Sequence, residues 1–220
     1  TVQDYPARTG YWDVGVPPSG PFDNYSFRLA NRLLGNDPSA AGLEITLQGP
    51  VLQFSCDTMI ALAGADIPAT LDDVAVPLWQ AVPVKAGQTL SLGRISSGAR
   101  AYLAVLGGIQ CPEYLGSRST FTLGQFGGHS GRALRVGDAL NLSMEPIAAC
   151  PAALPESLKP DIGEHYQLRV IYGPHGAPDF FTDDDIDTFF NTDWEVHYNS
   201  SRTGVRLIGP KPVSYTHLTL

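Results

Sequence analysis

From Leu43 to Ser143 the apolar residues recur at every second position in short runs, and glycine or proline closes each run. A period of two sends alternate side chains to opposite faces of a strand, so this stretch is a series of half-buried strands. Leu43, Ile45 and Leu47 alternate with Glu44, Thr46 and Gln48 before Gly49-Pro50. Leu52, Phe54 and Cys56 continue on one face, and "MIALAG" is a third strand. "ATLDDVAVP" places Asp72-Asp73 at a hairpin tip. "VPVKAGQTLSLG", "GARAYLAVLGGI" and "GRALRVGDALNLS" complete the series, the last with a turn at Gly137-Asp138. The 23 glycines and 18 prolines among 220 residues favour many turns over long helices. The pattern predicts a mainly β chain, a barrel or a sandwich.

Two helices interrupt it. Residues 23–35 have Asp23 as N-cap, Gly35 at the left-handed C-terminal position, and Phe27, Ala30, Leu33 and Leu34 on one face. Asp37-Pro38 can open one further helical turn. Beyond a Pro/Ala-rich bridge, "HYQLRVIYG" (165–173) reads as a strand and "TDDDIDTFFN" as a helix. Thr182 caps that helix, Asp183–Asp185 suit its positive end, and Ile186, Phe189 and Phe190 are expected to face inward. Strands at 194–199 and 205–208 follow. The expected organisation is a first subdomain at 1–145, a linker at 146–162 and the start of a second subdomain at 163–212.

Composition excludes several classes of function. A net charge of −8 without a Lys/Arg block argues against nucleic acid or an anionic membrane as partner. The most apolar stretches are far too short to span a bilayer. Three widely spaced cysteines, Cys56, Cys111 and Cys150, read as reduced thiols of a cytoplasmic protein, with no Cys-based metal site. The tail "VSYTHLTL" (213–220) is what GTC TCT TAT ACA CAT CTG ACG CTG encodes, which resembles a transposon-end sequencing adapter. It is read as adapter-derived, with the natural chain longer at both ends.

No nucleophile elbow, phosphate loop or zinc-spaced cluster is present. Four places can carry chemistry. "HYNSSRTGVRLI" (197–208) gathers Tyr198, Asn199, Arg202 and Arg206 around one hairpin, either as a solvated surface or as a grip on a polar, carboxylated ligand. The stiff loop "VGVPPSGPFD" offers Ser19 before a helix N-terminus, or is a rigid helix-entry turn. His175 sits in "GPHGAP", lining a pocket or pinning the loop. "GSRSTFTLGQFGGHSGR" brings Arg118 and Arg132 among five glycines, which suits oxygen-rich ligands or a flexible surface.

Taken together, "YPARTGYWDVGVPPSGPFDNYSFRLANRLLGN", "GLEITLQGP", "PLWQAVPVKAGQTL" and "LGSRSTFTLGQFGGHSGRALRVGD" resemble the A/B half of the urea carboxylase carboxyltransferase domain. That half belongs to the wider allophanate hydrolase subunit 2, or biotin-dependent 5-oxoprolinase/urea amidolyase, family. "YGPHGAPDFFTDDDIDTFFNTDWEVHYNSSRTGVRLIGPKP" resembles urea carboxylase more narrowly. The resemblance implies a cyclophilin-like barrel and a smaller α+β subdomain. It implies carboxyl transfer from carboxybiotin to urea, giving allophanate. Biotin would be carried by a partner domain, and ATP and bicarbonate used at another. The implied partners are the C/D half of the domain, a biotin carboxylase domain and a biotin carrier domain. In that chemistry Arg202 or Arg206 can meet a carboxylate in a fork, and Asn199 offers urea both a donor and an acceptor. Tyr198 completes the catalytic set; Ser19, Arg118, His175 and Arg206 are the expected substrate-binding residues. The fragment alone is expected to be inactive. Two other readings are a 5-oxoprolinase component, whose substrate is a cyclic amide, and a non-catalytic regulatory module.

Overall fold

The computed structural model describes residues 1–143, 154–163, 165–200 and 204–211. The chain divides into two units, Thr1–Glu164 and His165–Leu220.

In the first unit the elements are β1 (Val2–Gln3), α1 (Asn24–Leu33), β2 (Gly42–Thr46), β3 (Val51–Gln53), β4 (Thr58–Asp66), β5 (Ala69–Leu71) and β6 (Val74–Ala75). These are followed by β7 (Ala81–Val84), β8 (Thr89–Leu92), β9 (Ser97–Val105), β10 (Ile109–Gln110) and β11 (Asn141–Leu142). One sheet has the order β1-β2-β9-β4-β7 and a second β3-β8-β5-β6; every pairing is antiparallel. The mainly β expectation holds, but both sheets are open, so among the described residues the barrel does not close.

The run "MIALAG" becomes β4, the central partner of β9. Its Ile60 and Leu62 join Leu43, Ile45, Leu103 and Val105 against Phe54, Leu71, Leu90 and Leu92 of the second sheet and its flanks. Its Ala61 and Ala63, with Ala104, lie under Leu29, Ala30 and Leu33 of α1. Small side chains on the helix side let α1 approach the sheet. Both faces of β4 are therefore covered, which is why it reads as a continuous apolar run rather than an alternation.

The same cover overturns one detail of the alternation. Glu44 is predicted to face solvent, yet it is 3% exposed, because α1 and its entry loop lie over that face. Leu47, predicted on the core face, is 54% exposed at φ 58°, where the chain leaves β2. The N-cap of α1 forms as expected: the Asp23 carboxylate accepts from Tyr25 N and Ser26 N, and Gly35 takes φ 71°. Asp37-Pro38 opens only a turn, in which the Asp37 carboxylate accepts from Ser39. Asp72 and Asp73 both take positive φ at the β5–β6 tip. Of "GRALRVGDALNLS" only Asn141–Leu142 is strand, paired with β10.

The second unit contains α2 (Asp183–Asn191), β12 (Glu195–Val196) and β13 (Leu207–Ile208). The Thr182 capping box with Asp185 forms. Residues 165–173 form no strand, and among the described residues no strand pairs with them. Phe189 and Phe190, expected inside, are 44% and 60% exposed, and Ile186 is half-buried. So few described residues surround α2 that its apolar stripe has little to bury against. The octapeptide 213–220 lies outside the described residues.

Candidate functional site

The N-terminal segment Asp4–Arg8 backs two loops of the first unit. Arg8 N–H donates to Pro18 O at 2.9 Å, holding the "VPPSG" loop. The buried Asp4 carboxylate accepts from Ser117 Oγ (2.6 Å), Ser119 Oγ (2.5 Å) and Arg118 N (2.6 Å), holding the glycine-rich loop. Arg8 is 1% exposed. Its Nε donates to Tyr114 O at 3.1 Å and its Nη2 to Ser119 O at 3.0 Å, while its carbon Cζ stands 4.8 Å from the Phe126 ring centre. Nη1 is buried without a hydrogen-bond partner. Burial pushes the Arg8 pKa down, opposed by the nearby Asp4 charge.

In front of this segment a cavity of about 560 Å³ opens between residues 110–114 and 125–141. Gly127, Gly128, Ser130 and Gly131 line it at positive φ. Gly127 is obligatory: a Cβ there would overlap the Ser119 carbonyl and come within 2.9 Å of Arg8 Nη2. Next to the lining residues Gly131 and Ala139, Arg132 and Asp138 form a two-pronged pair, Nη1–Oδ2 2.7 Å and Nη2–Oδ1 2.9 Å. The Arg132 hydrogen bonds, then the N–H of Arg135, hold the Asp138 carboxyl well below the usual range. His129 Nε2 lies 3.4 Å from the same carboxylate. Cys111, half-buried, also lines the cavity, and burial pushes its thiol up.

The residues expected from the sequence fall in three places. Arg118 does not line the cavity but is engaged with two residues that do: Nη1 pairs with Glu113 at 2.8 Å and Nε donates to Cys111 O at 3.0 Å. Ser19, in the loop held by the Arg8 N–H, has φ 62° and an Oγ buried without a hydrogen-bond partner. In the second unit Tyr198, Asn199 and Arg206 share one turn around His197. The His197 and Tyr198 rings stack at 4.3 Å, Asn199 N donates to His197 Nδ1 at 3.0 Å, and His197 N donates to Arg206 O at 2.9 Å. All three side chains are exposed. Arg202 lies outside the described residues. His175 is exposed and packs edge-on against Phe180 at 4.6 Å.

Sequence reasoning missed Asp4, Arg8, Glu44 and Tyr102. Glu44 Oε2 accepts from Phe22 N at 2.6 Å and Tyr102 OH accepts from Asp23 N at 2.7 Å, so these two side chains anchor the exit of the Ser19 loop. Burial, then the Glu44 charge, pushes the Tyr102 phenol far up. Nothing periodic marks Asp4 or Arg8; the partners of their side chains are over a hundred residues away in sequence. Among the described residues no three His, Cys, Asp or Glu side chains gather as a metal site, and no helix is long and apolar enough to cross a membrane.

Residues 14–219 match the family described as carboxyltransferase domain, subdomain A and B. The chain is 52% identical over 218 residues to the urea amidolyase of Saccharomyces cerevisiae, covering 96% of this chain and 12% of that protein. It is 38% identical over 209 residues to a 5-oxoprolinase component of Escherichia coli, covering 95% of this chain and 65% of that one. Among solved structures, the Kluyveromyces lactis urea carboxylase superposes with a TM-score of 0.89 at 51% identity, over 96% of this chain and 20% of that one. The chain thus spans a small part of the urea amidolyases and urea carboxylases that it resembles.

Proposed function

From the premise that this chain belongs to the carboxyltransferase subdomain A and B family, we propose that it is part of the carboxyltransferase of a biotin-dependent urea carboxylase, delivering a carboxyl group to urea to give allophanate. The observation that carries this reading is the 52% identity to a urea amidolyase over nearly the whole chain, against 38% to a 5-oxoprolinase component. The rest of the enzyme would be a C/D half, a biotin carboxylase domain using ATP and bicarbonate, and a biotin carrier domain. Alone, the fragment would not turn over.

Biotin, when present on its carrier, would supply the carboxyl group. The hairpin of the second unit fits a carboxylate beside a small diamide. The Arg206 side chain is exposed and makes no ion pair among the described residues, so its fork is available. Arg202, four residues earlier, would add a second fork. Asn199 presents an exposed amide, able to accept from a urea N–H and donate to its oxygen. Tyr198, stacked on His197, would wall the hairpin, with His175 as a further substrate contact in the second unit; Ser19 and Arg118 would each contact substrate from the first unit. These residues bind and orient; positive charge around the transferring group lowers the barrier as negative charge develops.

The test uses the full-length parent enzyme, with allophanate and ADP measured separately. Arg202→Ala and Asn199→Ala are expected to lower allophanate formation by about 10²–10³-fold while ADP release by the carboxylase domain persists. Wild-type allophanate rates in both variants would remove the hairpin from the mechanism. Turnover of 5-oxoproline in place of urea would overturn the substrate.

A further inference from the structure

A second cavity of the first unit, of about 370 Å³, opens beside the C-terminal half of α1 and shares no lining residue with the cavity of the glycine-rich loop. Two of its lining residues, Arg28 and Arg32, are cationic and none is acidic. They stand about one helical turn apart on α1, where like charges repel. Lys85, Arg100, Arg118, Arg132 and Lys159 of this unit each face a carboxylate. Arg28 and Arg32 do not: both side chains are exposed, and neither guanidinium makes an ion pair or hydrogen bond among the described residues. Arg28 Cζ lies 4.8 Å from the Tyr5 ring centre. A ring against the face of a guanidinium steadies the group and leaves its in-plane N–H fork free. The carbonyls at the end of α1, which would repel an anion, are capped: Asn31 O accepts from Leu34 N and Asn36 N, and Arg32 O from Gly35 N. The Asn36 amide is engaged by Asn31, Val105 and Gly107, and the Asp37 carboxylate by Ser39. The rest of the wall includes Leu29 and Leu158, which share a core cluster; Tyr25 OH donates to Leu158 O at 2.9 Å and ties that segment to α1.

We propose that this cavity is a binding site for a small organic oxyanion, a carboxylate or a phosphate monoester carried on an apolar body, with its oxygens toward Arg28 and Arg32 and its body against Leu29 and Leu158. A guanidinium fork matches two oxygens of either group, and an anion between the two arginines relieves their repulsion. A neutral ligand would leave that repulsion in place, and a bare inorganic ion would leave the leucines without a contact. At about 370 Å³ the cavity is within the usual range for small-molecule sites. The site rests on the first unit alone, shares no residue with the hairpin of the second, and does not depend on the carboxyl-transfer reading.

The test titrates the whole chain at low ionic strength with phenyl phosphate, benzoate and, as a neutral match, benzamide, with binding read by isothermal titration calorimetry. At least one of the two anions is expected to bind one-to-one with a Kd of about 1 mM or tighter, and the tighter of the two identifies phosphate or carboxylate as the group recognised. Benzamide is expected to bind about tenfold more weakly or not at all. Arg28→Gln and Arg32→Gln should each weaken the anion about tenfold, the loss of a charge-assisted hydrogen bond. Arg94, also exposed and without an ion pair among the described residues but outside the cavity, is the control: Arg94→Gln should bind as the parent chain does. All three positions are exposed, so the circular dichroism spectrum should be retained. No saturable binding of either anion, equal binding of benzamide, or unchanged affinity in both Arg28→Gln and Arg32→Gln would each overturn the site. An equal loss in Arg94→Gln would reduce the effect to net charge and overturn it as well. Because no turnover is read, anion binding by an enzyme inert toward urea would sink the proposed reaction and leave this site standing; the reverse result would do the opposite.

Discussion

Arg8 is 1% exposed and makes no direct ion pair among the described residues; two carbonyls and the Phe126 ring take the place of a carboxylate. Gly127 exists to make room for it. Two glycines separate the effects of backbone and of space. Gly137 has φ 89° and nothing within 4 Å of an added Cβ, so Gly137→Ala should cost only the left-handed strain, about 1–2 kcal/mol. Gly127, at φ 72° and packed against Ser119 and Arg8, adds a clash, and Gly127→Ala should cost about 3 kcal/mol or more. Guanidinium unfolding midpoints of the two variants check this; equal shifts would refute the close packing. Asp138 sets a pH dependence. Its folded pKa is depressed by Arg132 and by the Arg135 N–H, so its contribution is fully present above the unfolded carboxylate value of about 4. It is lost as pH falls through the depressed folded value. Asp138→Asn should therefore flatten the acid limb of the stability curve below pH ~4 and leave the alkaline limb unchanged. An unaltered acid limb would mean that the pair adds nothing to stability.

Both helices begin with caps that are local in sequence, and both were legible there. Asp23 accepts two N–H donors and the Ser26 hydroxyl at 2.5 Å, while Thr182 and Asp185 cap each other reciprocally. The energetic consequences differ. Helix α1 is packed against the sheet through Leu29, Ala30 and Leu33, so Asp23→Ala is expected to lower the stability of the first unit by about 1–2 kcal/mol. Helix α2 has no buried residue among those described, so Thr182→Ala should fray α2 locally and leave the main unfolding transition in place. A global shift from Thr182→Ala as large as that from Asp23→Ala would contradict this separation. The strands show the converse. Leu43 and Ile45 fell on the core face as the period required, but Glu44 on the opposite face is buried all the same. Only a helix arriving from elsewhere in the chain could bury it, and a period of two carries no information about what covers the second face.

At the scale of the molecule, order is concentrated in β4 and β9, which are central in the larger sheet and buried over most of their length. Residues 165–173 alternate like a strand yet among the described residues have none beside them, with Leu168 81% and Ile171 95% exposed. Amide hydrogen exchange of the chain should therefore be slowest in β4 and the second half of β9 and fast throughout 165–173. Protection of 165–173 equal to that of β4 would reveal a strand partner in solution. The sequence picked out the loop carrying Ser19, the loop carrying Arg118 and the hairpin carrying Tyr198, Asn199 and Arg206; a role in catalysis for any of them is a proposal. By itself it determined the β character, both helix caps, the Asp72-Asp73 tip and the family resemblance, because each depends on residues close in sequence or on long runs of matching motif. Only the tertiary structure decided that the sheets stay open, that Glu44 is interior, that Arg118 is already engaged by Glu113, and that Asp4 and Arg8 back both loops. Those outcomes depend on partners brought together across tens to more than a hundred residues, where burial and charge pairing, rather than local propensity, set the free energy.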